Sequence, residues 1–545
     1  MSTAVFSVGQ IGYKGAMSET VTGNKGMVSA PHRAASAVGA EVLAAGGNAI
    51  EAMIAMAATI AVVYPHMNGI GGDAFFLIAE PGRKPRVIDA CGAAGSFATI
   101  GRYAAKGHDT MPTRGVDAAV TVPGAVSGWA LAAEAASALG GRMPRTDLLA
   151  DAIRQAREGI AVSRSQAAML AANLEGLRSV PGFAPIFLPD GKAPEAGTPF
   201  VQQRLADTLD HLARAGFDDF YRGDVAAELA ADLEEAQAPV TRADLAAHQA
   251  RLRDPLSLRL DDATLFNTPP PTQGLASLII LGLFDRLKVA RGESFEHLHG
   301  LIEAAKRAGA IRDAHVTDPA FGGDFTQFLE ASWLDAEAAA IDRKRAGSPP
   351  TGGGRGDTVW MGAIDANGLA VSFIQSLFWE FGSGFISPRT GVLWQNRGSS
   401  FSLDPKAVNP LAPGRKPFHT LNPPLARFDD GRVMVYGSMG GEAQPEFQAA
   451  IFTRIARFGM DPGEAIAAPR WRAGRTWGEG TSSVTLENRF DPDLVAALER
   501  AGHAVVVLGE GYSDSMGHAG AIVRTAAGRS SGASDPRSDG AAAGG

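Results

Sequence analysis

Residues 348–356 read SPPTGGGRG, a run of Pro, Gly and polar residues that suits neither a helix nor a strand. It divides the chain into two stretches of different character. From about residue 125 to 346 apolar residues recur mostly at helical spacing. Beyond it, 358–364, 370–376 and 391–394 read as strands, with a hairpin signal at Asp365-Ala366-Asn367-Gly368. Helices are expected again near 442–458 and 491–501. The Gly/Ser/Ala-rich tail, 526–545, reads as mobile at its end.

The front of the chain, 27–76, reads as strand, helix, Gly-loop, helix, Gly-loop. A helix over 34–45 is stopped by Gly46-Gly47-Asn48. Residues 49–64 are apolar on almost every side, which predicts a buried helix. The Gly-rich turn 65–73, PHMNGIGGD, then leads into a strand over 74–80. Further breaks fall at Pro181-Gly182, Pro189-Asp190-Gly191 and Pro269-Pro270-Pro271. No internal repeat is visible.

With 545 residues, 45% of them hydrophobic, the chain can bury a large core. A net charge of -8 argues against nucleic acid or an anionic membrane as partner. The single cysteine, Cys91, excludes a disulfide framework or a Cys-rich metal site within one chain. No stretch has the pattern of a signal peptide, and no apolar run reaches the roughly 18 residues of a membrane span. A cytoplasmic protein without metal or organic cofactor is the expectation.

A linker, then Asp357-Thr358, then a strand is an order that can carry chemistry. A threonine hydroxyl is a weak nucleophile until a base lies beside it, and the α-amine of the same residue can be that base once the preceding peptide bond is cut. A threonine that merely starts a strand has the same local signature.

The residues resemble a known family. Residues 26–52, GMVSAPHRAASAVGAEVLAAGGNAIEA, followed by PHMNGIGGDAFF at 65–76, look like the N-terminal signature of γ-glutamyltranspeptidases. The likeness recurs in order at Val122-Pro123-Gly124, Tyr221-Arg222-Gly223, Thr241 to Leu245, Pro271-Thr272-Gln273-Gly274, His299 to Glu303, Asp357-Thr358, Phe381-Gly382-Ser383-Gly384, Gly440-Gly441, Ala468-Pro469-Arg470 and Ser534-Asp535-Pro536-Arg537. It implies an α+β, four-layer αββα N-terminal-nucleophile hydrolase fold with two stacked antiparallel sheets. It also implies self-cleavage at Asp357-Thr358 into a large subunit, 1–357, and a small one, 358–545, which stay associated. A dimer of such αβ units is compatible with this reading.

By the resemblance, Thr358 is the nucleophile, Ser376 aligns with a hydroxyl that hydrogen-bonds it, and Gly440 and Gly441 supply the N–H groups of an oxyanion hole. The departures concern the substrate. Cys91 takes the place of an Arg that grips the glutamyl α-carboxylate, and a thiol offers neither charge nor a fork of donors. Ser400 stands where an Asp would pair with the α-amine, Phe378 where an Asn would be, and His419-Thr420 replace a Ser-Ser pair. Arg397 takes the place of a Gln, and an Arg can bind a carboxylate bidentately. These changes point to a small carboxylate-bearing amide without an ammonium group, oxamate first. The stretches 356–360 and 394–398 look like those of the oxamate amidohydrolases within this family. Rival readings are a γ-glutamyl transferase or hydrolase, a glutaryl- or cephalosporin-type acylase, and an uncleaved homologue that only binds.

Other signals carry less. His297 and His299 do not share a helix face, and His419 suits a pocket or a core equally. GIGGD lacks the Lys-Ser/Thr ending of a phosphate loop. Glu51 and Glu303 read as supporting or solvated, and Asp313 as structural.

Overall fold

The computed structural model describes residues 19–348, 357–474 and 482–545. All but the first residue of the linker therefore lie outside the described residues. Two antiparallel seven-stranded sheets lie face to face. The first runs, edge to edge, Ala541–Gly544, Gly26–Ala30, Asp357–Asp365, Ala370–Phe378, Asp73–Ala79, Arg86–Ala90 and Arg251–Arg253. The second runs Val21–Gly23, Ser530–Ser534, Ala519–Arg524, Val433–Ser438, Leu425–Phe428, Ala263–Asn267 and Leu256–Arg259. Between them pack Met27, Phe75, Leu77, Phe266, Trp360, Ile374, Val435 and Ile522. Both large sheets combine strands from the two sides of the Asp357-Thr358 bond, so neither stretch has either of these sheets complete on its own.

Helices cover both outer faces and give the αββα layering that the resemblance implies. On the first sheet lies Ala49–Val63, buried at every position, as its unbroken apolar pattern requires. Asn48 and Glu51 close its start as a capping box, and Glu51 also accepts the Met143 N–H at 2.7 Å. Gly274–Leu287 and Gln444–Phe452 cover the second sheet.

Several expectations are corrected. Within the stretch read as helical lie the strands Arg251–Arg253, Leu256–Arg259 and Ala263–Asn267. Residues 391–394 form only isolated bridges, Gly71 with Trp394 and Ile386 with Leu393. The tail is no loose end: Ser530–Ser534 and Ala541–Gly544 are strands in different sheets, and the Gly545 carbonyl accepts the Asn24 N–H at 2.9 Å. Glu51 and Glu303 are buried rather than solvated.

Candidate active site

Thr358 is the second residue of the strand Asp357–Asp365, an interior strand of the first sheet, and is buried. Its pairing with the neighbouring strand is irregular at that point: Asp357 lies opposite Phe378 and Val359 opposite Gln375, so Ser376 and Leu377 together face Thr358. Such a bulge re-aims side chains locally. Here it brings the two hydroxyls together, with Thr358 Oγ1 3.3 Å from Ser376 Oγ. The GIGGD turn packs on the same spot. A Cβ on Gly72 would fall 2.1 Å from the Ser376 carbonyl oxygen, so only glycine fits.

A second group reaches Thr358 from the helix that covers the other sheet. Gln444, at the start of Gln444–Phe452, donates from Nε2 to Thr358 Oγ1 at 3.4 Å, while its Oε1 accepts from Asn422 at 3.0 Å. Just before it comes the Gly440-Gly441 turn, with φ of 133° and 55°. A Cβ on Gly440 would strike the Phe447 ring at 2.4 Å. These glycines open the one-turn helix Gly441–Ala443, where leading N–H groups have no acceptor within the turn.

Arg397 is fully buried. Its guanidinium stacks 3.6 Å from the centre of the Phe378 ring, and Nη2 donates to Thr420 Oγ1 at 3.0 Å. Nε and Nη1 have no hydrogen-bond partner among the described residues. Burial pulls the guanidinium down to about 9, against the opposing pull of Asp73. Phe378 reaches its place through a positive φ of 83°, and its N–H donates to Ser376 Oγ at 2.7 Å. A bulky residue in that conformation costs about 1–3 kcal/mol.

Below Arg397, His419 Nε2 donates to Asp73 Oδ2 at 3.0 Å and Nδ1 accepts the Leu421 N–H at 3.4 Å. Burial and the neighbouring Arg397 push this imidazole well below its usual range, so it is neutral and the Nε2–H tautomer fits both contacts. Asp73 Oδ1 accepts from the Gly92 and Gly124 N–H groups and from Gln395 Nε2 at 3.0–3.1 Å. Burial still raises its carboxyl to about 6. Cys91 lies in the same group, its thiol pushed well up by burial and by Asp73.

Sequence reading missed Asp73 and Gln444: the first sat in a Gly-rich turn quoted only for the family signature and set aside as a phosphate loop, the second lies three residues beyond the glycine pair. Ser400 ends the short helix Arg397–Ser400, half-buried, and shares no hydrogen bond with Thr358, Ser376, Arg397 or Thr420 among the described residues. Two buried groups have ligand-type atoms within 4.8 Å of one another: Asp73, Cys91 and His419, and His299, Glu303 and His503. In both, the carboxylate and the inward imidazole nitrogens already hold protein partners. His299 Nδ1, for example, lies 2.8 Å from His503 Nε2, and Lys306 lies 2.7 Å from Glu303.

The family model for gamma-glutamyltranspeptidase matches residues 35–545. The chain belongs to the gamma-glutamyltranspeptidase family. Among curated members of the gamma-glutamyltranspeptidase family, the oxamate amidohydrolase proenzyme of Klebsiella pneumoniae subsp. pneumoniae is 53% identical over 523 residues, 95% of this chain and 98% of that one. A glutathione hydrolase-like YwrD proenzyme of Bacillus subtilis is 41% identical over 97% of this chain and all of its own length, 100%. The crystal structure of a cephalosporin acylase from Bacillus halodurans superposes with a TM-score of 0.89 at 32% identity, covering 99% of both chains. The fold implied by the motifs is thus borne out, and with it an enzyme family that hydrolyses or transfers amide-bound acyl groups. No helix among the described residues is long and apolar enough to cross a membrane.

Proposed function

We propose that this chain is an autoprocessing amidohydrolase that cleaves small carboxylate-bearing amides, oxamate first, through an acyl-enzyme on Thr358. In maturation the Thr358 hydroxyl attacks the Asp357 carbonyl carbon, the acyl group moves from nitrogen to oxygen, and water hydrolyses the ester. Two chains result, 1–357 and 358–545, and the second begins with a free α-amine.

In turnover that amine takes the Thr358 hydroxyl proton as Oγ1 attacks the substrate carbonyl. The N–H groups of Gly440 and Gly441 hold the oxyanion, a donor type worth roughly 3 kcal/mol each. Ser376 and Gln444 steady Oγ1. The amine returns the proton to the departing nitrogen, ammonia leaves, and water hydrolyses the ester. From oxamate the released acid is oxalate.

Arg397 carries the substrate assignment. A buried guanidinium with two donor nitrogens unused among the described residues is costly unless an anion completes it. It connects through Phe378 and Ser376 to the Thr358 hydroxyl. The oxamate carboxylate adjoins the scissile carbonyl, which suits so short a path. The identity to the Klebsiella oxamate amidohydrolase supports the same assignment. The likeness to a cephalosporin acylase favours a second reading, a glutaryl-type acylase whose carboxylate is separated from the scissile carbonyl by a methylene chain.

The test is ammonia release from oxamate by the matured protein, set against product release from glutaryl and γ-glutamyl nitroanilides. Faster turnover of either anilide would overturn the oxamate assignment, and an intact polypeptide in active material would overturn the Thr358 mechanism.

A further inference from the structure

Two halves of the proposed site, the anion grip and the oxyanion turn, lie on separate segments. The grip hangs on Thr420, whose hydroxyl holds Arg397. The turn is Gly440-Gly441. A single side chain from the other side of the Asp357-Thr358 bond spans both. Gln273 Nε2 donates to the Thr420 carbonyl at 2.8 Å and to the Gly441 carbonyl at 2.8 Å. Both amide hydrogens are thus used.

The orientation of this carboxamide is fixed by its third contact. Arg312 Nη1 donates to Gln273 Oε1 at 3.3 Å. A flipped amide would set its oxygen against two carbonyls and its NH₂ against a guanidinium, so one orientation alone satisfies every group. Arg312 also donates to the Glu442 carbonyl at 3.1 Å and to the Glu442 carboxylate at 3.2 Å, gripping the oxyanion turn from its far side. Gln273 is fully buried and Arg312 nearly so. The backbone repeats the tie, with the Gln273 N–H donating to the His419 carbonyl at 2.9 Å.

We propose that Gln273, held by Arg312, is a positioning residue that sets the separation between the Arg397–Thr420 anion grip and the Gly440-Gly441 oxyanion turn. Among the described residues it makes no hydrogen bond to Thr358, and its role rests on the reading of those two parts given above. Without its side chain each part keeps its own contacts, and the direct tie between the Thr420 and Gly441 carbonyls is lost, which loosens the register that the Gln273 backbone and Asn422 then hold. The cost therefore falls on the transition state, where both must be engaged at once, and less on ground-state binding.

The experiment uses full-length protein, matured, with Gln273→Met, which keeps length and removes all three hydrogen bonds, and Gln273→Glu, which sets a carboxylate oxygen against the two carbonyls. Arg312→Lys is the milder third variant should the first two fail to fold. Kinetics are read on whichever of oxamate, glutaryl nitroanilide and γ-glutamyl nitroanilide the wild type cleaves. Gln273→Met is expected to lower kcat by about 10- to 100-fold while KM moves by less than about threefold. Arg312→Lys should lower kcat in the same sense by a smaller factor. In the double variant with Thr420→Val the losses should fall well short of additive, because the Gln273 bond to the Thr420 carbonyl and the Thr420 hydroxyl bond to Arg397 both place the same guanidinium. A kcat within about twofold of wild type in well-folded, matured Gln273→Met, or in Arg312→Lys if only that variant folds, would overturn the proposal. So would a loss carried wholly by KM. Wild type that cleaves an anilide but not oxamate removes the substrate assignment and leaves this test standing. Wild type that cleaves none of the three removes both.

Discussion

The guanidinium of Arg397 rests 3.6 Å from the centre of the Phe378 ring, while the Phe378 N–H donates to the Ser376 hydroxyl beside Thr358. One residue therefore links the buried guanidinium to the Thr358 hydroxyl, and does so at a positive φ.

If Arg397 receives the substrate carboxylate, Arg397→Ala should lower kcat/KM for oxamate by about 10²–10³-fold, most of it as a rise in KM. Arg397→Lys should recover part of the charge effect but not the fork of donors. Steady-state ammonia release checks both, and an unchanged KM in the alanine variant would end the assignment.

Phe378→Gly separates strain from function. Glycine relieves the positive φ but deletes a buried ring, so the thermal midpoint should fall, and by less than in Phe378→Ala, which loses the ring and keeps the strain. KM for the carboxylate amide should rise, because the guanidinium loses its platform. A calorimetric scan paired with kinetics reads both effects.

Ser376→Ala should slow self-cleavage and turnover together, each by about tenfold, the worth of one buried hydrogen bond to the nucleophile. Ser376→Thr keeps the hydroxyl and should mature. Thr358→Ala should remain a single 56.5 kDa band on a denaturing gel, where wild type gives two. Intact-mass measurement fixes the new N-terminus at residue 358.

Glu446 supplies a pH test of stability away from substrate. Burial raises its carboxyl from 4.5 to about 8, against the Ala473 N–H and the nearby Arg312. Below about 4.5 it is protonated whether or not the chain is folded. Between about 4.5 and 8 only the unfolded chain gives up the proton, so stability falls with rising pH, and above 8 the loss is complete. The span corresponds to roughly 4–5 kcal/mol at most. Glu446→Gln should match wild type near pH 5 and melt at a higher temperature near pH 9. Equal melting temperatures at pH 9 would contradict the assignment.

Legibility in the sequence followed how local the signal was. Ala49–Val63 was readable because all of its faces are apolar, and Asp357–Asp365 because its pattern begins where the linker stops. Ala541–Gly544 was not: four small residues become a strand only because Gly26–Ala30 offers them an edge. Arg251–Arg253 is a half-exposed edge strand with charged residues at both ends, so no apolar alternation marks it. In the site, Thr358, Ser376 and the glycine pair came from motifs. The Asp73–His419 contact joins residues 346 positions apart, and no spacing rule reaches across that distance.

The interleaving of strands from both sides of residue 357 has a consequence for recovery from damage. Uncut, the chain can regain both sheets after denaturation as one molecule. Once cut, each fragment holds only part of both seven-stranded sheets, and renaturation becomes a bimolecular search between two aggregation-prone pieces. Heat should therefore inactivate the mature enzyme for good, while the Thr358→Ala precursor regains its native circular dichroism on cooling.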